Sequence, residues 1–171
     1  MRIQILSTVM LVSALAVPTA WACSPRIRQQ LLSPGELISS AEIIVRVRAD
    51  GLSAKPATRD DAFEKSQVDF VVLETLKGTL SSDRITFKGH LEQHDDPNGG
   101  PVPYTGVRPG GLKGNCFALG YRQGAEYLLL LRLAYGTLTP YWSALAPLNE
   151  QLAGPDDPWI QWVRSQLKAT R

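Results

Sequence analysis

The chain has 171 residues, with 18 Lys and Arg against 16 Asp and Glu, a net charge of +2. So even a balance offers no argument for a partner held mainly by charge, such as nucleic acid or an anionic membrane surface. The length suits one domain with a sizeable core, and only two cysteines are present, Cys23 and Cys116.

Arg2, the apolar stretch from Ile3 to Val17 and the small-x-small site Ala20-Trp21-Ala22 form a secretory signal over residues 1–22. Its apolar part is shorter than the ~20 residues a spanning helix needs, so no transmembrane segment is expected. Cleavage after Ala22 makes Cys23 the mature N-terminus, and residues 23–171 are expected as a single exported domain, periplasmic or secreted. The alternative is a lipoprotein anchored by acylation of Cys23, which the bulky Trp21 fits badly. Thiols oxidise outside the cytosol, so two cysteines favour a Cys23–Cys116 disulfide over a metal site. A loop of that length stabilises by ~4–5 kcal/mol in the chain-entropy model. Two unpaired, buried or modified cysteines are the competing reading.

Gln29 to Ser40 reads as a short helical stretch that restarts at Pro34, a residue suited to a first helical turn. Ile43, Val45 and Val47 alternate with Ile44, Arg46 and Arg48 in a half-buried strand. A polar stretch, Asp50 to Ser66, leads to the β-rich run Val68–Leu73, ending at Lys77-Gly78. Ile85 and Phe87 mark a third strand. Glu126 to Tyr135, with four consecutive leucines, suits a central strand buried on both faces. Gly136 turns into a fifth strand, Thr137–Leu145, placed at an edge or bulge by Pro140. The Gly- and Pro-dense segment Asp95–Asn115 lacks apolar periodicity and reads as a long surface loop. Near the C-terminus, residues 156–169 read as an amphipathic helix. Asp157 caps it, Pro158 takes its first position, and Trp159, Ile160, Val163 and Leu167 form its apolar stripe. Trp159 and Trp162 are assigned to core packing rather than recognition. Five strands with flanking helices suggest a mainly β protein, a five-stranded OB-type Greek-key barrel with its core in residues 23–146.

Few residues suggest chemistry. His90 and His94 are the only histidines, with Glu92, Asp95 and Asp96 beside them. Their spacing would suit zinc on a helix, but they follow a strand and enter a loop, so a metal site there is the lesser reading. Gly110 to Asn115 lacks the Gly-Lys-Ser/Thr ending of a phosphate loop. No Gly-x-Ser-x-Gly elbow is present, and Cys116 as a thiol catalyst would have to stay reduced. Neither an enzyme nor a cofactor is expected. Arg46, Arg48, Arg84 and Lys88 could share a basic sheet face, but without the stacking aromatics of a single-strand binder.

Several segments carry a family likeness. Cys23-Ser24-Pro25, Ala41-Glu42-Ile43-Ile44-Val45, Phe70 to Gly78 and Gly124 to Leu131 resemble the TIMP-like, netrin-module superfamily, especially its bacterial exported members. The resemblance implies an OB-type barrel with the N-terminal cysteine tied to its body. It further implies protein binding, in its most concrete form inhibition of a zinc metalloprotease. The α-amine and carbonyl of Cys23 would then ligate the target's zinc, with Ser24 and Pro25 at the contact and Cys116 as the anchor. The chain departs from the inhibitors at Pro25, where they carry a second cysteine, and in having one potential disulfide where they have several. A cell-envelope structural or adaptor domain without inhibitory activity, lipid-anchored at Cys23 in one version, is the alternative.

Overall fold

The computed structural model describes residues 32–54 and 66–170. The signal, Cys23, Ser24 and Pro25 lie outside the described residues, as does the start of the expected first helix. The chain is mainly β, with an antiparallel sheet and two helices. Helix α1 is Pro34–Ser40 and helix α2 is Pro158–Ala169. The strands are β1 (Ile43–Ala54), β2 (Gln67–Lys77), β3 (Arg84–Lys88), β4 (His90–Glu92), β5 (Gly120–Arg122), β6 (Glu126–Ala134), β7 (Thr137–Thr139) and β8 (Asn149–Leu152).

Helix α1 starts where the sequence allows it. Ser33 Oγ accepts from the Glu36 amide, and Glu36 accepts in return from the Ser33 amide at 2.7 Å, a reciprocal cap followed by Pro34. Its far end is held by Lys77, whose Nζ donates to the Ile38 and Ser39 carbonyls at 2.8 and 2.9 Å. A cation there also opposes the helix dipole.

Strand β1 is the spine. It pairs antiparallel with β2 on one edge and with β6 on the other, giving the order β3-β2-β1-β6-β7. The β1–β6 register runs without a break from Ile43 opposite Leu131 to Arg48 opposite Glu126. The β1–β2 register, by contrast, shifts four times, and such bulges increase local twist. The free edge of β6 is shared, with β8 along Glu126–Leu129 and β7 along Arg132–Ala134.

The sheet has two apolar faces. Leu128, Leu130 and Ile44 pack with Leu37 and Ile38 of α1 and Trp159, Ile160 and Val163 of α2. Val45, Val47, Tyr127, Leu129 and Leu131 pack on the other side with Phe70, Phe87 and Tyr121. Strand β6 is therefore buried on both faces, as its leucine run suggests. Trp159 is fully buried and stacks on Trp162 at 5.2 Å, which places both in the packing of the helix.

Three expectations need correction. Eight strands, not five, occur among the described residues: six form an open sheet with β3 and β7 at the two ends of its path, and β4 and β5 pair in a separate two-stranded parallel sheet. The fifth strand ends at Thr139 rather than Leu145, because Pro140 has no N–H for a ladder and the Tyr141 amide turns back to Thr139 Oγ1. The C-terminal helix begins at Pro158, two residues later than expected, with Asp157 as its cap.

Candidate functional site

The segment Asp95–Asn115 is not a simple surface loop. It lies along β8 and sends a fully buried arginine into the protein. Arg108 Nε donates to the Asn149 carbonyl at 3.0 Å, and Nη2 donates to the carbonyls of Ala118 and Gly120 at 3.1 and 2.8 Å. Nη1 meets Asp96 Oδ2 at 2.6 Å, and the guanidinium carbon lies 5.3 Å from the rings of both Tyr121 and Tyr127. An apolar medium makes an unpaired cation very costly, so this degree of satisfaction is what permits the burial.

Strand β8 explains why the loop must be there. Asn149, Glu150 and Gln151 are consecutive polar residues, and all three are buried. Asn149 Nδ2 donates to the Ala118 carbonyl and the Tyr121 hydroxyl, and Tyr121 in turn meets the Tyr141 hydroxyl at 2.6 Å. Glu150 accepts from Asn98 Nδ2 at 2.9 Å and from the Arg108 amide at 3.2 Å. Gln151 donates to Asp95 and accepts from the Asp96 amide at 2.7 Å. Both Glu150 oxygens and the Gln151 amide are met by the loop, and Asn149 Nδ2 by Ala118 and by Tyr121 of β5.

Burial dominates the protonation of this cluster. It pushes Glu150 up to about 7, against the opposing hydrogen bond from Asn98 and the charge of Arg108. Burial likewise raises Tyr121, Tyr127 (to about 12) and Tyr141. Asp95 moves the other way, held below its usual range by Gln151 and then Arg122.

Cys116 follows the loop. It is half-buried, disulfide-bonded and held at φ +60°, a left-handed conformation a non-glycine residue adopts only when its surroundings demand it. Its carbonyl accepts from the Leu145 amide at 2.8 Å, and the Leu145 carbonyl accepts from the Val107 amide at 2.8 Å. The cysteine is thus braced, through two backbone hydrogen bonds, to the residue beside Arg108.

Two clefts flank the loop. One, of about 210 Å³, is lined by His90, Glu92, His94, Asp95, Asp96 and Lys113 among others. His90 Nε2 lies 3.0 Å from Glu92 Oε1, and His94 is exposed. The structure brings both histidines to one cleft, but no group of three or more His, Cys, Asp or Glu side chains suited to a metal occurs among the described residues. The other cleft, of about 680 Å³, is bounded by Asp95, Asn98, Tyr104, Arg122, Gln151 and Asp157 among others.

Two of the four residues of the expected basic sheet face, Arg46 and Arg84, are held in ion pairs. Arg46 meets Glu126 at 3.0 Å and Glu74 at 3.5 Å, and Arg84 meets Asp50 at 2.5 Å. Glu74 also accepts from Arg164 of α2 at 2.6 Å, so this charge cluster fastens the helix to the sheet. No helix of the described residues is long and apolar enough to cross a membrane.

Sequence reasoning missed Arg108, Glu150 and Asn149. The available signal was the polar run Asn-Glu-Gln set between Leu148 and Leu152, too short to show a period. No family model matches the chain, and neither does any curated protein or solved structure compared with it.

Proposed function

We infer that the chain is an exported, non-enzymatic protein-binding module of the TIMP-like kind, tied at its processed N-terminus by a Cys23–Cys116 disulfide. Its partner in this reading is a zinc metalloprotease, and the α-amine and carbonyl of Cys23 are the donors to the target's zinc. The observation that carries the reading is that Cys116 is disulfide-bonded, in a chain with one other cysteine, and braced through Leu145 and Val107 to the Arg108 network. A rigid mount lowers the entropy lost when the donors it holds engage a partner.

The strand order supports the OB-type reading as well. β3-β2-β1-β6-β7 is a five-strand path in which β3 and β7 run in the same direction at its two ends. Tyr141, two residues past β7, donates to the Lys88 carbonyl at the end of β3 at 2.6 Å, so the two edges approach there. A partly open Greek-key barrel has this character. The polar side chains that converge on Arg108 are consumed by one another, which suits a scaffold better than a reaction centre.

The test extends the mature N-terminus by one alanine and titrates both forms against a panel of zinc metalloproteases. The form starting at Cys23 inhibits, and the extended form loses inhibition at least a hundredfold, because its amine no longer reaches the metal. Inhibition equal in both forms rejects chelation by Cys23. Inhibition by neither favours the structural or adaptor reading.

A further inference from the structure

Glu150 is fully buried, and neither of its contacts is a cation. Both oxygens accept from neutral donors, Oε2 from the Asn98 side chain and Oε1 from the Arg108 main chain. The nearby guanidinium of Arg108 is directed to Asp96 and to three backbone carbonyls. One positive charge therefore faces two carboxylates, with Asp96 in direct contact. The other groups facing Glu150 are Tyr104 from the loop and Tyr121 from β5, and neither carries a positive charge.

The two donors sit at both ends of one segment. Asn98 Nδ2 also donates to the Gly106 carbonyl at 2.8 Å, and Asn98 Oδ1 accepts from the Gly100 amide at 3.0 Å. Asn98 thus closes residues 98–106 on itself while holding them to β8. The same segment helps to wall the larger cleft through Asn98 and Tyr104.

We propose that Glu150 makes closure of the 96–108 segment over β8 depend on a proton, the segment being held most firmly when the carboxyl is neutral and loosened when it ionises. An ionised Glu150 in the closed fold is a buried charge without a contacting counter-ion, and opening the segment lets water reach it. Burial holds the carboxyl at about 7 in the closed fold, against an ordinary value of 4.5 once exposed. The closed state therefore binds the proton more tightly. Its support is complete below about 4.5 and is lost as the pH rises to about 7. The consequence is a larger cleft whose wall loosens as the surroundings pass from mildly acidic to neutral.

The test is amide hydrogen exchange of the Arg108 N–H in the full mature protein from pH 5 to 8.5, corrected for intrinsic exchange rates, in wild type and Glu150→Gln. In wild type the opening constant rises by up to roughly tenfold per pH unit below about 7 and levels off above it. The E150Q curve is flat. Equal pH dependence in both proteins, or wild-type protection that is constant or rises with pH, overturns the proposal. Should E150Q fail to fold, the ¹³C-carboxyl titration of Glu150 in wild type decides. A midpoint near neutrality upholds the latch, and one in the ordinary carboxylate range removes it.

Discussion

Replacing Arg108 with Met keeps the length of the side chain and deletes its charge and donors. Asp96 loses its 2.6 Å cationic partner, the Asn149 carbonyl loses its Nε donor, and the Gly120 carbonyl loses Nη2. The Ala118 carbonyl is spared, because Asn149 Nδ2 still donates to it at 2.6 Å. Removing one partner of a buried ion pair costs about 3–5 kcal/mol, and each orphaned buried carbonyl about 1–3 kcal/mol. These costs overlap, and Asp96 can recover water, so about 5 kcal/mol is the expected loss. That is a large share of the roughly 5–15 kcal/mol that holds a domain of this size. Urea unfolding followed by near-ultraviolet circular dichroism reads the effect as a midpoint lowered by roughly 2–3 M at ordinary slopes. Adding Asp96→Asn should return part of the loss, because the stranded carboxylate is then neutral. An R108M protein within about 1 kcal/mol of wild type would refute the view that Arg108 pins the loop to β8.

Cys116→Ser should lower stability by about 2–4 kcal/mol, and reductant should bring wild type to the same value, read by thermal unfolding. Asp157→Ala removes the acceptor for both the Trp159 and Ala153 amides at 2.8 Å, and about 1–2 kcal/mol should be lost by urea titration. Tyr135→Asn should instead stabilise by about 1 kcal/mol. Tyr135 is fully exposed at φ +51° beside Gly136 at φ +79°, a hairpin turn that prefers Asn-Gly, and a higher unfolding midpoint checks it.

What could be read from the chain was local. The apolar alternation of Ile43 to Val47, the leucine run of β6 and the Asp157-Pro158 start of α2 each express a preference held within a few residues. The strand β8 could not be read, because Asn149, Glu150 and Gln151 show no burial pattern of their own. Their burial is made possible by Asn98, Asp95 and the Arg108 amide, more than 40 residues earlier in the chain. For the same reason the Gly/Pro-dense segment looks like solvent-exposed loop. Its glycines are functional in packing: a Cβ at Gly111 would meet Val107 at 2.6 Å, so the segment folds tightly on itself beside Arg108. At the candidate site, Cys116 was legible as a bridging cysteine from the presence of only two cysteines behind an N-terminus that reads as an export signal. The Leu145 and Val107 bracing was not, since backbone hydrogen bonds between distant residues leave no mark on composition.

Non-reducing peptide mapping of the processed protein from its native host tests the central claim most directly. The expected result is a single cross-linked product, joining a peptide that begins at Cys23 with an unmodified amine to the peptide that carries Cys116. Two alkylatable thiols, or an acyl chain on Cys23, would contradict it.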